Sequence, residues 1–155
     1  LAELRQALSA QSLSDAEQSN YWQLMAGVLL LGNVVFDPSK PEAAAIVGSS
    51  QGVLKDAESV LGLQPNSIGK ALTKRKIKAG NEWVEQDLKL EAANDGRDAL
   101  SKAIYSKLFD HLILKINEAL VAGGEALDEK AASIIGVVDI FGFEVFDINS
   151  LEQLC

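Results

Sequence analysis

The sequence predicts a mainly α-helical fold with one β-hairpin and one core strand. Three observations support this prediction. A helix-capping sequence begins at Ser14, a glycine-asparagine pair at positions 80–81 separates two short predicted strands, and apolar residues recur at helical spacing over residues 100–120. The hydrophobic content of 48% in 155 residues is enough for one compact core, or for a slice of a larger domain.

The first strong helix signal is Ser14-Asp15-Ala16-Glu17, which has the S-x-x-E form of a capping box. We therefore expect a helix that begins near Asp15 and continues to Leu31. The second half of this helix is apolar on all sides, which predicts burial on all sides. Gly32-Asn33 predicts a left-handed stop, after which the chain should continue in an extended form.

Two shorter helices are expected next. The first passes through Val53 and Leu61, where apolar residues follow helical spacing. The second passes through Ile68 and Leu72. Pro65 is expected in the first turn of this second helix, because proline lacks an N–H that the first turn would leave unpaired.

A basic stretch leads into the predicted hairpin. Five basic residues and no acidic residue lie between positions 70 and 78. Ile77-Lys78-Ala79 and Glu82-Trp83-Val84 flank Gly80-Asn81, a two-residue connection typical of a β-hairpin. From charge alone, this stretch is either a solvated basic turn or a docking loop for an acidic protein surface.

The longest predicted helix has about 30 residues and a length of about 45 Å at the usual rise per residue. Its first apolar row recurs every four residues, at Leu100, Ile104, Leu108, Leu112, Ile116 and Leu120. A second row of Tyr105, Phe109 and Ile113 widens this face. We expect Gly96 to weaken the first turn and Gly123-Gly124 to end the helix.

The last predicted element is Ile134-Ile135-Gly136-Val137-Val138, an apolar run of the kind expected for a strand buried on both faces. Because a buried strand needs neighbours for its backbone hydrogen bonds, we expect the rest of its sheet to come from sequence beyond these 155 residues. The run stops at Asp139, a glycine bend follows at Gly142, and Asn149 or Ser150 can cap a final helix.

Asp139, Gly142 and Glu144 are the residue types of a phosphate-sensing turn. An aspartate at the carboxyl end of a buried strand can hold a magnesium-bound water, and the glycine lets a backbone N–H approach a terminal phosphate. Glu144 can pair with an arginine that closes the site. A bare D-x-x-G also fits an ordinary turn after a buried strand, whereas the longer sequence D-I-F-G-F-E at residues 139–144 is more specific.

Composition excludes several classes of protein. The net charge of −8 argues against a nucleic-acid binder. One cysteine and one histidine exclude an internal disulfide framework and a zinc site built from these ligands. We expect His111 to be a packed or half-exposed helix residue and Cys155 to be structural. The longest apolar run, residues 24–31, is far shorter than the ~20 residues that cross a bilayer. Because Glu3 and Arg5 interrupt the first residues, we expect no signal peptide, and we expect a cytoplasmic protein without a membrane span.

Four segments, in order, resemble the motor domain of myosins. Residues 30–36 resemble its L-x-L-G-N-x-x-F segment, and residues 98–102 resemble the D-A-L-A-K signature of its long helix, both in the upper 50 kDa subdomain. Residues 139–144 resemble switch II, and residues 152–155 resemble the start of the relay helix. The resemblance implies a fragment of a P-loop NTPase-type α/β motor domain that runs from the upper 50 kDa subdomain through switch II to the start of the relay helix.

The resemblance also implies how the chain is divided. Residues 1–133 would be a helical portion of the upper 50 kDa subdomain, with an actin-facing hairpin at about residues 73–87. Residues 134–155 would contain the core β-strand, switch II and the start of the relay helix.

ATP and Mg²⁺ are the cofactors that the resemblance implies for the intact motor. The nucleotide-sensing turn would consist of Asp139, Ile140, Phe141 and Gly142, with Asp139 positioning Mg²⁺ through water. Gly142 would donate its backbone N–H to the γ-phosphate, and Glu144 would form an ion pair with the switch I arginine. Asp139, Gly142 and Glu144 are therefore the expected catalytic residues.

The hairpin resembles the cardiomyopathy loop, which touches actin in myosins. The expected actin-binding residues are Lys74, Lys76, Lys78, Glu82 and Glu85. Glu82 lies 16 positions before Asp98, where the family places an acidic or phosphorylatable residue, so this copy would be acidic without phosphorylation. The implied partners are an actin filament, the rest of the myosin heavy chain, and light chains or calmodulin, in the cytoplasm and cytoskeleton.

Two nucleotide-binding segments of myosins do not occur in this sequence: the G-x-x-x-x-G-K-[ST] phosphate loop and the N-x-x-S-S-R segment of switch I. We therefore expect an ATPase in the intact motor, while the isolated chain should neither bind ATP tightly nor hydrolyse it. The alternative is a non-catalytic actin- or partner-binding module of a degenerate myosin. A GTPase or kinesin switch with a coincidental D-x-x-G does not explain the helices that precede the turn.

Overall fold

The computed structural model describes residues 1–121, 136 and 147 of the chain. The chain divides into two units, Leu1–Gly123 and Gly124–Cys155, and every helix and strand of the described residues belongs to the first unit. The predicted strand at residues 134–138, apart from Gly136, lies outside the described residues, as do the Gly123-Gly124 stop and the final helix. The predicted division after residue 133 stays a prediction.

The described residues form a mainly helical fold with one two-stranded antiparallel hairpin, as predicted. In chain order the elements are α1 (Ala2–Ala10), α2 (Asp15–Gly32), α3 (Gln51–Val60), α4 (Ser67–Thr73), β1 (Lys74–Ala79), β2 (Glu82–Asp87) and α5 (Leu90–Val121). A short 3₁₀ turn at Gly48–Ser50 leads into α3. None of the helices in the described residues is both long and apolar enough to cross a membrane.

The start of α2 is the predicted capping box. Ser14 Oγ accepts a hydrogen bond from Glu17 N at 3.3 Å, and Glu17 Oε2 accepts one from Ser14 N at 2.9 Å. The predicted left-handed stop is wrong, because Asn33 has φ −91° and ψ −1° in the right-handed region. The helix ends instead in a tightened turn, in which Asn33 N donates a hydrogen bond to Leu30 O and Val34 N donates one to Leu31 O, each at 3.0 Å.

The predicted burial of α2 on all sides is also wrong. Leu31 is fully buried, and Gly27 lies so close to Leu61 that a Cβ at this position would overlap the leucine side chain. Leu29, by contrast, is 67% exposed. The reason is that α2 packs chiefly on α3 and α5, which cover only part of its circumference within the described residues.

The core lies where α2, α3, α4 and the beginning of α5 meet. After α2 the chain is extended, and Phe36 forms an isolated antiparallel bridge with Ile46. The buried residues of the core are Leu31, Val34, Phe36, Ala44, Leu54, Ala57, Ile68, Leu72 and Ala93. We call α2, α3, α4 and the part of α5 packed on them the helical body.

The start of α4 differs from the prediction. Pro65 was expected in its first turn, but the helix begins at Ser67 and Asn66 is the N-cap residue with φ 62°. Glu58 of α3, only 3% exposed, accepts hydrogen bonds from Asn66 N at 2.7 Å and Ile68 N at 2.8 Å. These bonds pair the N–H groups that a helix start leaves unsatisfied, so a side chain from another helix determines where α4 begins.

The long helix α5 has 32 residues, close to the predicted length. Of its predicted rows, the second is substantially exposed, with Tyr105 at 50% and Phe109 at 45%. Gly96 lies in the second turn and not the first, and a Cβ there would meet Leu72 Cδ2 at 3.4 Å. Arg97 Nη1 donates to Val34 O at 2.8 Å, which connects α5 to the segment that follows α2.

Candidate functional site

The candidate site is the β1–β2 hairpin, which contains all five residues predicted to bind actin. The strands pair in antiparallel register, with Ile77 opposite Val84 and Ala79 opposite Glu82. Gly80-Asn81 forms the two-residue connection, and Gly80 has φ 63°, a conformation that glycine adopts without a side-chain clash. This confirms the hairpin that the sequence predicted. Every residue of both strands is exposed, so the hairpin contributes surface and no core.

The base of the hairpin is fixed to the helical body. Thr73, the last residue of α4, accepts a backbone hydrogen bond from Leu88 N at 2.8 Å, and Leu88 O accepts one from Ala44 N at 2.7 Å. Glu58 in turn fixes the start of α4 through the hydrogen bonds described above. Because an isolated two-stranded hairpin is marginally stable in water, these contacts at its base are needed to hold it in place.

The register divides the predicted residues between two faces, since alternate side chains of a strand point to opposite sides. One face, which we call the lysine face, consists of the cross-strand pairs Lys74–Asp87, Lys76–Glu85 and Lys78–Trp83. The opposite face consists of the pairs Arg75–Gln86, Ile77–Val84 and Ala79–Glu82. The structure therefore brings together the three predicted lysines and Glu85, and it places Glu82 on the other face.

Two ion pairs neutralise part of the lysine face. Lys74 Nζ lies 2.9 Å from Asp87 Oδ1, and this hydrogen bond raises the pKa of Lys74. Lys70 Nζ on α4 lies 2.7 Å from Glu85 Oε1, and this hydrogen bond lowers the pKa of Glu85. Lys76 and Lys78 form no ion pair with any residue that the structure describes.

Sequence reasoning missed three residues of this site. Asp87 lies opposite Lys74 in the register set by Gly80-Asn81, so counting outward from the turn would have found it. Trp83 is 69% exposed and faces Lys78 across the strands, and the same count would have placed it on the lysine face. The contact between Lys70 and Glu85 joins two elements and has no local sequence signal.

A second candidate region is the cleft between α2 and α5. Tyr21 Oη lies 2.6 Å from His111 Nδ1, and both residues line a cavity of about 490 Å³ together with Leu24 and Ile104. Burial raises the pKa of Tyr21, and the Glu17 charge adds to this effect. The ring of His111 packs at 5.8 Å from the ring of Tyr21, between centroids, which agrees with the expected role of a helix residue that packs on a neighbour.

The predicted nucleotide-sensing residues cannot be placed in the same way. Asp139, Ile140, Phe141, Gly142 and Glu144 all lie outside the described residues. Among the residues that the structure does describe, no group of three or more histidine, cysteine, aspartate or glutamate side chains could hold a metal ion.

Comparison with known proteins identifies the same family along the whole chain. Residues 1–155 match the family described as Myosin head (motor domain). The chain is 40% identical over 149 residues to unconventional myosin ID of Drosophila melanogaster, covering 96% of this chain and 14% of the fly protein. It is 38% identical over 153 residues to unconventional myosin-Ic of Mus musculus, covering 98% of this chain and 14% of the mouse protein.

A fungal protein is similar to the same extent. Over 134 residues the chain is 40% identical to Myosin-52 of Schizosaccharomyces pombe, which covers 86% of this chain and 9% of the yeast protein. The chain therefore spans about one seventh or less of the length of these curated relatives.

Proposed function

The chain belongs to the myosin head (motor domain) family, and we propose that it is part of an actin-based motor that couples ATP hydrolysis to movement. In this motor the β1–β2 hairpin is the cardiomyopathy loop and contacts the actin filament. The motor works in the cytoplasm on the actin cytoskeleton, together with the rest of its heavy chain and with light chains or calmodulin.

The observation that carries the actin contact is the lysine face. Lys76 and Lys78 are exposed, lie on one side of the hairpin and form no ion pair among the described residues. Two neighbouring cations without counter-charges attract an acidic surface, and such exposed charges act mainly on the rate of association. Glu82 on the opposite face would contact a different part of the filament or of the motor.

The test is the association rate of a motor domain that contains this chain with actin filaments at low ionic strength. We expect Lys76→Met/Lys78→Met to lower this rate by about three- to tenfold and to flatten its salt dependence, because two steering charges are lost. Lys55→Met/Lys102→Met removes the same charge from exposed positions outside the hairpin and serves as the control. Equal rates for the two double variants would contradict the proposal.

For the nucleotide, we propose that Asp139 holds a magnesium-bound water and that Gly142 directs its backbone N–H to the γ-phosphate. Glu144 forms the ion pair with the arginine of switch I, and Ile140 and Phe141 complete the sensing turn. The support is the sequence of residues 139–144 together with membership of the family.

The nucleotide proposal is tested by ATP turnover. A motor domain that contains this chain should hydrolyse ATP, and Asp139→Ala should abolish this activity. The purified 155-residue chain should neither hydrolyse ATP nor bind it tightly, since it has no G-x-x-x-x-G-K-[ST] segment. Turnover by the 155-residue chain that Asp139→Ala abolishes would refute the second expectation. A motor domain that binds filaments without any turnover would instead indicate the non-catalytic module.

A further inference from the structure

Glu85 does not bond to the lysine that lies directly opposite it. In the hairpin register Glu85 faces Lys76, and opposite charges at such positions normally attract. The Glu85 carboxylate instead lies 2.7 Å from Nζ of Lys70, which belongs to α4. Lys76 is left without an ion pair among the described residues.

The position of Lys70 is determined by the helical body. The buried carboxylate of Glu58 fixes the start of α4, and α4 continues directly into β1. A groove of about 270 Å³ separates α4 from the lysine face, and Lys70, Lys76 and Glu85 line it. Lys70 and Lys76 therefore both lie beside this groove, and of the two only Lys70 forms an ion pair with Glu85.

The remaining lysine near Glu85 is already engaged. Lys74 is bonded to Asp87 at 2.9 Å, so the carboxylate of Glu85 has two possible main partners, Lys70 and Lys76. The lowered pKa of Glu85 arises first from its hydrogen bond with Lys70, and the charges of Lys74 and then Lys76 make smaller contributions. Because Lys74 is paired with Asp87, the choice of Glu85 between Lys70 and Lys76 decides how much positive charge the lysine face presents.

We propose that Lys70 is a positioning residue for the actin-facing hairpin: by holding Glu85, it keeps the ammonium group of Lys76 available for an acidic partner surface. This inference rests on the proposed contact between the hairpin and actin. Lys70 acts through Glu85 and does not itself touch the filament. Without Lys70, the Glu85 side chain turns to Lys76 across the hairpin and neutralises it.

The experiment is a set of four motor domains that contain this chain: the unmodified protein, Lys70→Met, Glu85→Gln, and the double variant. The measurement is the rate of association with actin filaments at low ionic strength. Lys70→Met should lower the rate about two- to fourfold, the size expected for one exposed charge pair. In the Glu85→Gln background the same substitution should lower the rate much less than it does in the unmodified protein, because no carboxylate remains to neutralise Lys76.

Lys76→Met provides the matched background. If Lys70 acts by keeping Lys76 available, Lys70→Met should have little further effect once Lys76 is methionine. Both Lys70 and Glu85 have exposed side chains, so we expect every variant to fold, and unchanged thermal melting would verify this.

Three results would overturn the inference. A loss of equal size in the unmodified and Glu85→Gln backgrounds would mean that Lys70 contacts the filament or steers it by its own charge. An unchanged rate for Lys70→Met, while Lys76→Met/Lys78→Met is slow, would mean that Glu85 does not compete for Lys76. If Lys76→Met/Lys78→Met also associates normally, the proposed contact of the hairpin itself is wrong, and the inference is overturned with it.

Discussion

All residues of β1 and β2 are exposed, whereas the helical body buries Leu31, Ala57 and Ala93 completely. The hairpin obtains its shape from its turn, its cross-strand pairs and the contacts at its base. The helical body obtains its stability from apolar surface removed from water. Substitutions in the body should therefore change the stability of the whole unit, and substitutions in the hairpin should change mainly the surface that it presents.

The largest effect is expected for Leu31→Ala in α2. The leucine side chain is fully buried in the core, and its truncation should lower the free energy of unfolding by about 2–5 kcal/mol through lost burial and a residual cavity. Leu29→Ala, two residues away and largely exposed, is the matched control and should change it by less than about 0.5 kcal/mol. Urea denaturation of the purified chain measures both, and similar losses would show that α2 is packed differently.

The next effect is expected for Glu58→Ala in α3. This change leaves the buried N–H group of Ile68 and the partly buried N–H group of Asn66 without their acceptor, and it should lower the free energy of unfolding by about 2–3 kcal/mol. Glu82→Ala removes a glutamate from the hairpin, where it is exposed, and should change stability by less than about 0.5 kcal/mol. If both variants unfold at the same urea concentration, Glu58 does not hold the start of α4.

The same contrast explains which parts of the fold the sequence predicts. The capping box at Ser14 and the hairpin turn at Gly80 are local patterns, and both elements are found where these patterns lie. The start of α4 was placed wrongly because Glu58, eight residues before Asn66, supplies the cap from another helix. The burial of α2 was overestimated because the prediction rested on a second half that is apolar on all sides, while the positions of α3 and α5 decide which of these residues are covered.

The candidate site divides in the same way. The residue types and the alternation of Lys74, Lys76 and Lys78 were visible in the sequence, and the structure places them together on one face. The bond between Lys70 and Glu85 was not predictable, because it depends on how α4 is oriented relative to the hairpin. A charge pattern therefore indicates what a surface can bind, and tertiary contacts decide which of its charges stay available.

A smaller effect, confined to the hairpin, is expected for Gly80→Ala. A Cβ at φ 63° costs about 1 kcal/mol, so the hairpin amides should exchange hydrogen about fivefold faster while the amides of the helical body are unchanged. Gly52→Ala is the control, since Gly52 lies in α3 with open space around the added methyl group. This substitution should raise the free energy of unfolding by up to about 1 kcal/mol. Faster exchange throughout the body in Gly80→Ala would show that the two regions are not independent.

The smallest effect concerns the capping box and its dependence on pH. The side chain and backbone of Ser14 donate hydrogen bonds to the Glu17 carboxylate, which lowers the pKa of Glu17 in the folded chain. A lowered folded-state pKa means that this contribution is complete above the unfolded-state pKa and is lost as the pH falls through the folded-state pKa. Ser14→Ala should therefore lower the urea midpoint at neutral pH, and its difference from the unmodified chain should shrink below the usual pKa range of glutamate. Glu17→Gln, the control, should lack this part of the pH dependence. If the difference in urea midpoint between Ser14→Ala and the unmodified chain stays constant into acid, the Glu17 charge does not stabilise the start of α2.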